Sequence, residues 1–456
     1  MEIATADPGK RSVGIAGSFS LNTLTGSTNA LVNGTATGGQ QLSLTANALT
    51  VNAQRSGDLF ALSASGSGAP GKDGIAIAGS VSINRITHST QANITGGKTT
   101  IATNITLKAE DTSKIFAIGG AVGFGGKAGF GAGIAVNQIN NTVKANSHST
   151  VLDQMGALSL SALNHGQIKA ITGSLGIAAQ QGGIGGAGTV SVNNLTLNTE
   201  ASLTNTSRTS SLAAATGAIT LLAQNQANIA SLAGAVGIGN QGGFGAAVAY
   251  NGITSNTNAF ISGATLATGS TVEIKAEGAA SIQSLTLGVG GGRDIGLGGS
   301  VAINLIRGGT RAYLNGNASL IAAGQIRLNA IDNSTIEGLA GGIAGSTKAA
   351  IGAAISVNDI TTSTTSYIEQ SSVTSQTAGV STLAQGNATI RTITVGGAGA
   401  GKVAIGGSVA VNLIRNTVDS HIGNSATVNA AQDITLQAIE ASTLEAKGGA
   451  LAGAGT

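Results

Sequence analysis

Across 456 residues the chain carries 22 Lys and Arg, 19 Asp and Glu, 72 Gly, 2 Pro and no Cys. The missing Cys excludes disulfide scaffolds and thiolate metal sites. A net charge of +3 without any basic run speaks against nucleic-acid binding, and 41% hydrophobic with 9% charged residues is the reverse of a disordered chain. High Gly with scarce Pro fits neither collagen nor low-complexity sequence. With aromatics at 2%, the core must be filled by Val, Ile, Leu, Ala and Thr, in thin and regular layers.

The chain opens on Met1-Glu2-Ile3-Ala4-Thr5, which lacks the basic region and apolar core of a secretion signal. Apolar stretches such as Leu232 to Tyr250 are broken by Gly and by Asn240-Gln241, so no membrane helix is expected and this segment is not expected to insert in a membrane. Both ends fall inside a repeat. Residues 1–456 therefore read as one continuous solenoid segment, a fragment of a longer exported protein.

The repeat is the strongest signal. A Gly-rich run, a short β-branched stretch and an Asn recur eight times, as in Gly79-Ser80-Val81-Ser82-Ile83-Asn84 and Gly407-Ser408-Val409-Ala410-Val411-Asn412. The marker residues are Asn22, Asn84, Asn137, Asn193, Asn251, Asn304, Asn358 and Asn412. Their successive numbers differ by 62, 53, 56, 58, 53, 54 and 54. Such a period predicts a stacked array whose units cannot fold alone.

Before each Asn, bulky residues at −3 and −1 (Val81 and Ile83, Val301 and Ile303) alternate with small ones at −4 and −2. That period of two predicts a strand with one bulky and one narrow face. At +2 a bulky residue returns (Ile86, Ile139, Leu195, Ile306), out of phase with −1 if both point inward. The Asn is therefore expected at a corner, a conformation that Asn tolerates, with its amides stacked as a ladder.

A second strand is expected from +2 to about +10, with Thr310, Ala312 and Leu314 inward and Arg307 and Arg311 outward. A third element has the form Ile105-Thr106-Leu107-Lys108-Ala109 and ends about half a period after its Asn in most copies. That half-period predicts two coils of about 27 residues per repeat, or three shorter ones, and a rod roughly 75 to 115 Å long at the inter-strand spacing of a sheet. Runs such as Gly123-Phe124-Gly125-Gly126 and Gly290-Gly291-Gly292 are expected between strands, in bends that need positive φ.

The recurring Gly-Gly-Ser-Val-Ala-Val-Asn-x-Ile stretch, followed by Thr-x-Ala-x-Ile and Ile-Thr-Leu-x-Ala, resembles the repeat regions of giant bacterial exoproteins. These are the filamentous-haemagglutinin-like adhesins and leukotoxin-type large exoproteins. The resemblance covers essentially the whole chain. It implies an all-β, right-handed parallel β-helix (a β-solenoid) of eight repeats, each of about 54 residues. It also implies export and display at the bacterial cell surface as a stalk or filament.

Catalytic signals are sparse. The acids (Asp58, Asp111, Asp153, Glu200, Asp294, Asp332, Asp419) read as falling at unrelated repeat positions. The four His (His88, His148, His165, His421) also share none. Neither the two carboxylates of a glycosidase nor a Ser-His-Asp or metal-ligand spacing emerges, so no enzyme, cofactor or metal is expected. One row stands out. At +9 the last four copies carry Phe260, Tyr313, Tyr367 and His421, predicted outward at intervals of roughly 10 to 14 Å by the same coil count. Arg311 and Arg307 lie beside Tyr313. This aromatic stripe is the candidate binding site for a sugar or protein.

The expected function is that of a stalk or filament segment of a secreted adhesin. Its partners would be a host-cell or bacterial surface receptor, a glycan or a biofilm-matrix polysaccharide. The alternative is the body of a large toxin whose activity lies outside this segment. Unpaired strands at the coil ends predict end-to-end self-association.

Overall fold

The computed structural model describes residues 12–34, 42–154, 156–208 and 215–455; the opening residues Met1 to Thr5 lie outside them. Every regular element among the described residues is a β-strand, gathered in three parallel sheets. The chain runs through a long strand in a leading sheet (Ile75–Thr95), a four-residue strand in a short sheet (Lys98–Ile101) and a long strand in a returning sheet (Ile105–Gly125). It then re-enters the leading sheet at Ala128–His148. This path repeats down the chain to make a right-handed parallel β-helix.

One repeat is one coil. Ile75 pairs with Ala128, and Asn84 with Asn137, in unbroken parallel register. The expectation of two or three coils per repeat is overturned, because the bulky residues half a period apart lie on two long strands of the same coil. The rod shortens accordingly: eight coils at about 4.8 Å give roughly 38 Å, not the roughly 75 to 115 Å expected, while strands of 21 residues make each coil about 70 Å broad. The molecule is a slab rather than a thin rod.

The strands alternate strictly, and the alternation explains the phase puzzle. In Ala128–His148 the inward residues are Gly129, Gly131, Gly133, Ala135, Asn137, Ile139, Asn141, Val143 and Ala145. Coming back along Ile105–Gly125, they are Ile105, Leu107 and Ala109 at one end and Gly119, Ala121, Gly123 and Gly125 at the other. Small faces small and bulky faces bulky, so the coil is a wedge. Its broad end holds a continuous core of Leu, Ile, Val and Ala with the short sheet, and a ladder of Ile86, Ile139, Leu195, Ile253, Ile306 and Ile360 follows further in. The bulky −3 and −1 residues point outward, not inward: Ile134 is 40% exposed.

The narrow end is closed by backbone. A methyl group at Gly123 would lie 2.1 Å from the Phe130 carbonyl oxygen, and one at Gly290 would lie 2.0 Å from that of Leu297. These glycines are inside strands, and none of the positive-φ glycines is among them. They are needed because two sheets approach too closely for any Cβ, not because the chain bends there.

The corner at the marker Asn is likewise absent. Asn84 lies midway along the straight strand Ile75–Thr95. The real corner is twelve residues later, where the chain leaves the leading sheet. Gly96, Ser149, Asn205, Gly263, Gly316, Gln370 and Asn424 all adopt φ between 46° and 66° there. This left-handed region suits Gly and Asn and is unusual for the rest.

Candidate functional site

Three features of the slab carry polar chemistry. The first is the asparagine row. Each marker Asn points inward, and the amide of every one but the last, Asn412, donates to the carbonyl oxygen of the next: Asn22 to Asn84 at 2.9 Å, Asn193 to Asn251 and Asn251 to Asn304 at 2.8 Å, and Asn358 to Asn412 at 2.7 Å. Parallel in-register stacking creates this ladder, since an amide has one acceptor and one donor group that identical neighbours above and below satisfy. Serines flank it: Asn193 also donates to Ser191 Oγ and Ser231 Oγ.

The second is a buried polar track between the Ile ladder and the broad core. On the returning sheet Asp111, Asn164, Asn225, Gly278 and Asp332 are in register. Asp111 and Asp332 thus share a repeat position, contrary to the expectation from sequence. Asp111 accepts from Thr90 at 3.1 Å, Ser113 at 2.6 Å and Asn141 at 2.7 Å, and His88 Nδ1 stands 3.2 Å from it. Ser113 Oγ also lies 3.1 Å from the same ring nitrogen.

The fold thus gathers a Ser, a His and an Asp that spacing alone does not reveal. Their arrangement is structural: Nδ1 serves both partners, and the whole group is sealed from solvent, so no substrate can reach the hydroxyl. Asp332, held by Thr310 at 3.0 Å and Ser334 at 2.8 Å, has its pKa raised by burial, with those two hydroxyls opposing the shift.

The third is the aromatic row at +9, on the outer side of the leading sheet near the broad end. Phe260, Tyr313, Tyr367 and His421 occupy equivalent places in successive coils. Their ring centroids are 4.7, 4.9 and 5.2 Å apart and their planes within 5° of parallel. The coil count corrects the expected spacing of the row, which was two to three times wider. At one coil per repeat the rings stack on one another, so each interior face is covered by its neighbour and the edges face outward.

Burial, chiefly, pushes the Tyr313 hydroxyl up to about 12, with Tyr367 and Glu200 adding and Arg311 opposing. Tyr367 is raised for the same first reason. Both therefore remain neutral hydroxyls near pH 7. At the end of the stack, burial pulls His421 downward, but hydrogen bonds to Glu369 (3.1 Å) and Asp419 (2.5 Å) outweigh it and raise its pKa. Arg311 is exposed beside the rings. Arg307 reaches to 4.0 Å from the Asp359 carboxylate, which Arg415 holds at 2.6 Å.

A trough also crosses the outer face of the returning sheet. One part, of about 570 Å³, is apolar, lined by Ile171, Leu232, Leu285, Leu339 and Ile393, with Lys169, Glu337 and Arg391 on its rim. Beside it lies a polar part of the same volume with Lys114, His165, Gln226, Asn228 and Asn333. Its apolar part is an in-register row, Ile171, Leu232, Leu285, Leu339 and Ile393, which sequence reasoning misses because bulky aliphatics there read as core. No protein-family model, curated protein or solved structure matches the chain.

Proposed function

We propose that the chain is a surface-presenting segment of an extracellular bacterial adhesin, in the manner of the large exoproteins its repeats resemble. The single observation that carries this is the in-register repetition of outward side chains, each coil adding one residue to each row, on broad sheets. A row of identical or related groups at about 4.8 Å engages a partner many times over. That multiplies weak contacts into useful avidity when the partner is itself extended or abundant, as a glycan, a matrix polysaccharide or a cell surface is.

The aromatic row supports this in a specific form. Because interior ring faces are covered, its contacts are ring edges, tyrosine hydroxyls and the Arg311 guanidinium, which suits a hydrogen-bonding partner rather than a sugar stacked face-on. The test is saturable binding of the purified chain to cells, immobilised glycans and matrix polysaccharide, repeated with Phe260, Tyr313 and Tyr367 all replaced by Ser. A loss of binding with the β-sheet circular dichroism retained supports the row. Unchanged binding removes the row, and no saturable binding to any target removes the adhesin function.

A further inference from the structure

We propose that the outer face of the leading sheet, over the half that precedes the marker Asn, is a self-association surface on which a second copy of this chain seats face to face. Positions −9, −7, −5, −3 and −1 point outward in all eight coils, and not one is charged. Only Tyr250 among them carries a polar side-chain atom. Past the Asn, on the same strands and the same outer side, composition changes to residues such as Arg85, Gln138, Lys144 and Asn198. The fold imposes outward exposure on both halves equally, so the apolar half is not a by-product of forming strands.

The size fits a stable pair. Five alternate positions span about 30 Å along the strand and eight coils about 35 Å across it, roughly 1,000 Å² per copy. Two copies would bury about 2,000 Å², the upper end of a standard protein interface, whereas the largest apolar patch of an ordinary monomer is about 300–600 Å².

The shape selects the occupant. Small residues at −5 (Ala246, Gly299, Ala353) floor a furrow of about 420 Å³ beside a ridge of Phe244, Leu297 and Ile351. A second copy has the same ridge and furrow at the same inter-coil spacing. A two-fold axis then sets each ridge in the partner's furrow along its whole length, which an unrelated globule cannot match. The outer face of the returning sheet has an apolar half of its own (Leu232, Leu285, Leu339 and Ile343 are exposed there), but the charged row of Lys169, Glu337 and Arg391 borders it.

The experiment uses the whole chain, which has no native Cys. Sedimentation equilibrium with small-angle scattering should find a dimer of about doubled thickness. V248K with I355K should weaken it at least tenfold, while T254K with S363K, on the same two strands in the polar half, should not. If the Lys pair fails to fold, single-cysteine A246C in an otherwise native chain should form disulfide-linked dimers under mild oxidation, and T254C should not. The proposal is overturned by a monomer at 100 μM, by dimers of doubled length and unchanged thickness (end-to-end joining), by equal crosslinking of A246C and T254C, or by adsorption to neutral phosphatidylcholine vesicles in place of pairing.

Discussion

Replacing Asn251 with Ala breaks the amide ladder in the middle, and its cost can be worked from the contacts. Asn251 is fully buried, accepts from Asn193 at 2.8 Å and donates to Asn304 at 2.8 Å. The two sides are unequal. The Asn193 amide keeps Ser191 and Ser231 as acceptors. The Asn304 carbonyl oxygen, by contrast, has no second donor among the described residues. Two lost bonds at about 1 kcal/mol each plus one orphaned buried acceptor at about 1–3 kcal/mol give roughly 3–5 kcal/mol.

Asn412 is the control. It accepts from Asn358 at 2.7 Å and Thr392 at 3.0 Å but is only half-buried, so water can replace what Asn412→Ala removes, at under about 1 kcal/mol. Because coils depend on their neighbours, the readout is local: hydrogen exchange of amides in Gly242–Ser262 should accelerate by a hundredfold or more in Asn251→Ala. Equal effects of the two substitutions, or a change of less than about twofold, would refute the ladder's role. Asn251→Asp supplies a signed variant. Its carboxylate opposes the Asn304 oxygen at neutral pH, and protonation restores a donor, so its penalty should shrink in acid.

Three further outcomes follow from the wedge and its charges. Gly298→Ala places a methyl 2.0 Å from the Ile343 carbonyl oxygen and should cost about 3 kcal/mol or more in urea melts, since backbone cannot rotate away as a side chain does. Gly188→Ala, which meets nothing within 4 Å, should change stability by less than about 0.5 kcal/mol; similar midpoints for both would sink the close-approach account. Asp332 has a raised pKa from burial, so its ionisation destabilises the fold as pH rises above the ordinary carboxylate range. The melting temperature of Asp332→Asn should therefore exceed that of the native chain at pH 8 and converge on it in acid, and a pH-independent gap would contradict the assignment. His421 has a raised pKa; its contribution is full below the ordinary His value and is lost as pH rises through the folded one. Exchange in Thr417–Gly423 should accelerate between pH 5.5 and 8.5 beyond the intrinsic effect, and His421→Phe, which keeps the stack, should abolish that dependence.

What the sequence reveals and hides has a common physical cause. The marker asparagines are legible because an amide needs an identical partner above and below, so identity repeats where register does. The true corner is hidden because its requirement is a backbone angle that Gly96, Ser149, Asn205 and Gln370 all meet; position is shared and identity is not. The inward face is misread because hydrophobic pattern equates bulk with burial. That equation fails where Gly129 and Gly131 let sheets touch through backbone, leaving Ile134 and Phe130 outside. The sealed Ser113, His88 and Asp111 group comes from residues 25 apart on facing strands, which no linear motif captures. The aromatic row is visible in the alignment of copies, but its spacing depends on the coil count, and so inherits that error.

The coil count also bears on what such a protein is for. A spacer is economical when each coil is short, since every turn of a β-helix advances by one inter-strand distance whatever its length. Here about 54 residues gain about 4.8 Å. The remaining chain goes into breadth: two faces, each 21 residues wide and each with an apolar half, one trough and one aromatic stack. If reach alone mattered, the long strands would be waste. A glycine-closed wedge keeps two broad sheets rigid with almost no interior volume at the narrow end. That is a means of holding much surface flat with little core. The geometry thus gives breadth rather than reach, and the proposed adhesin reading accordingly puts its contacts on the outward rows rather than on the ends of the column.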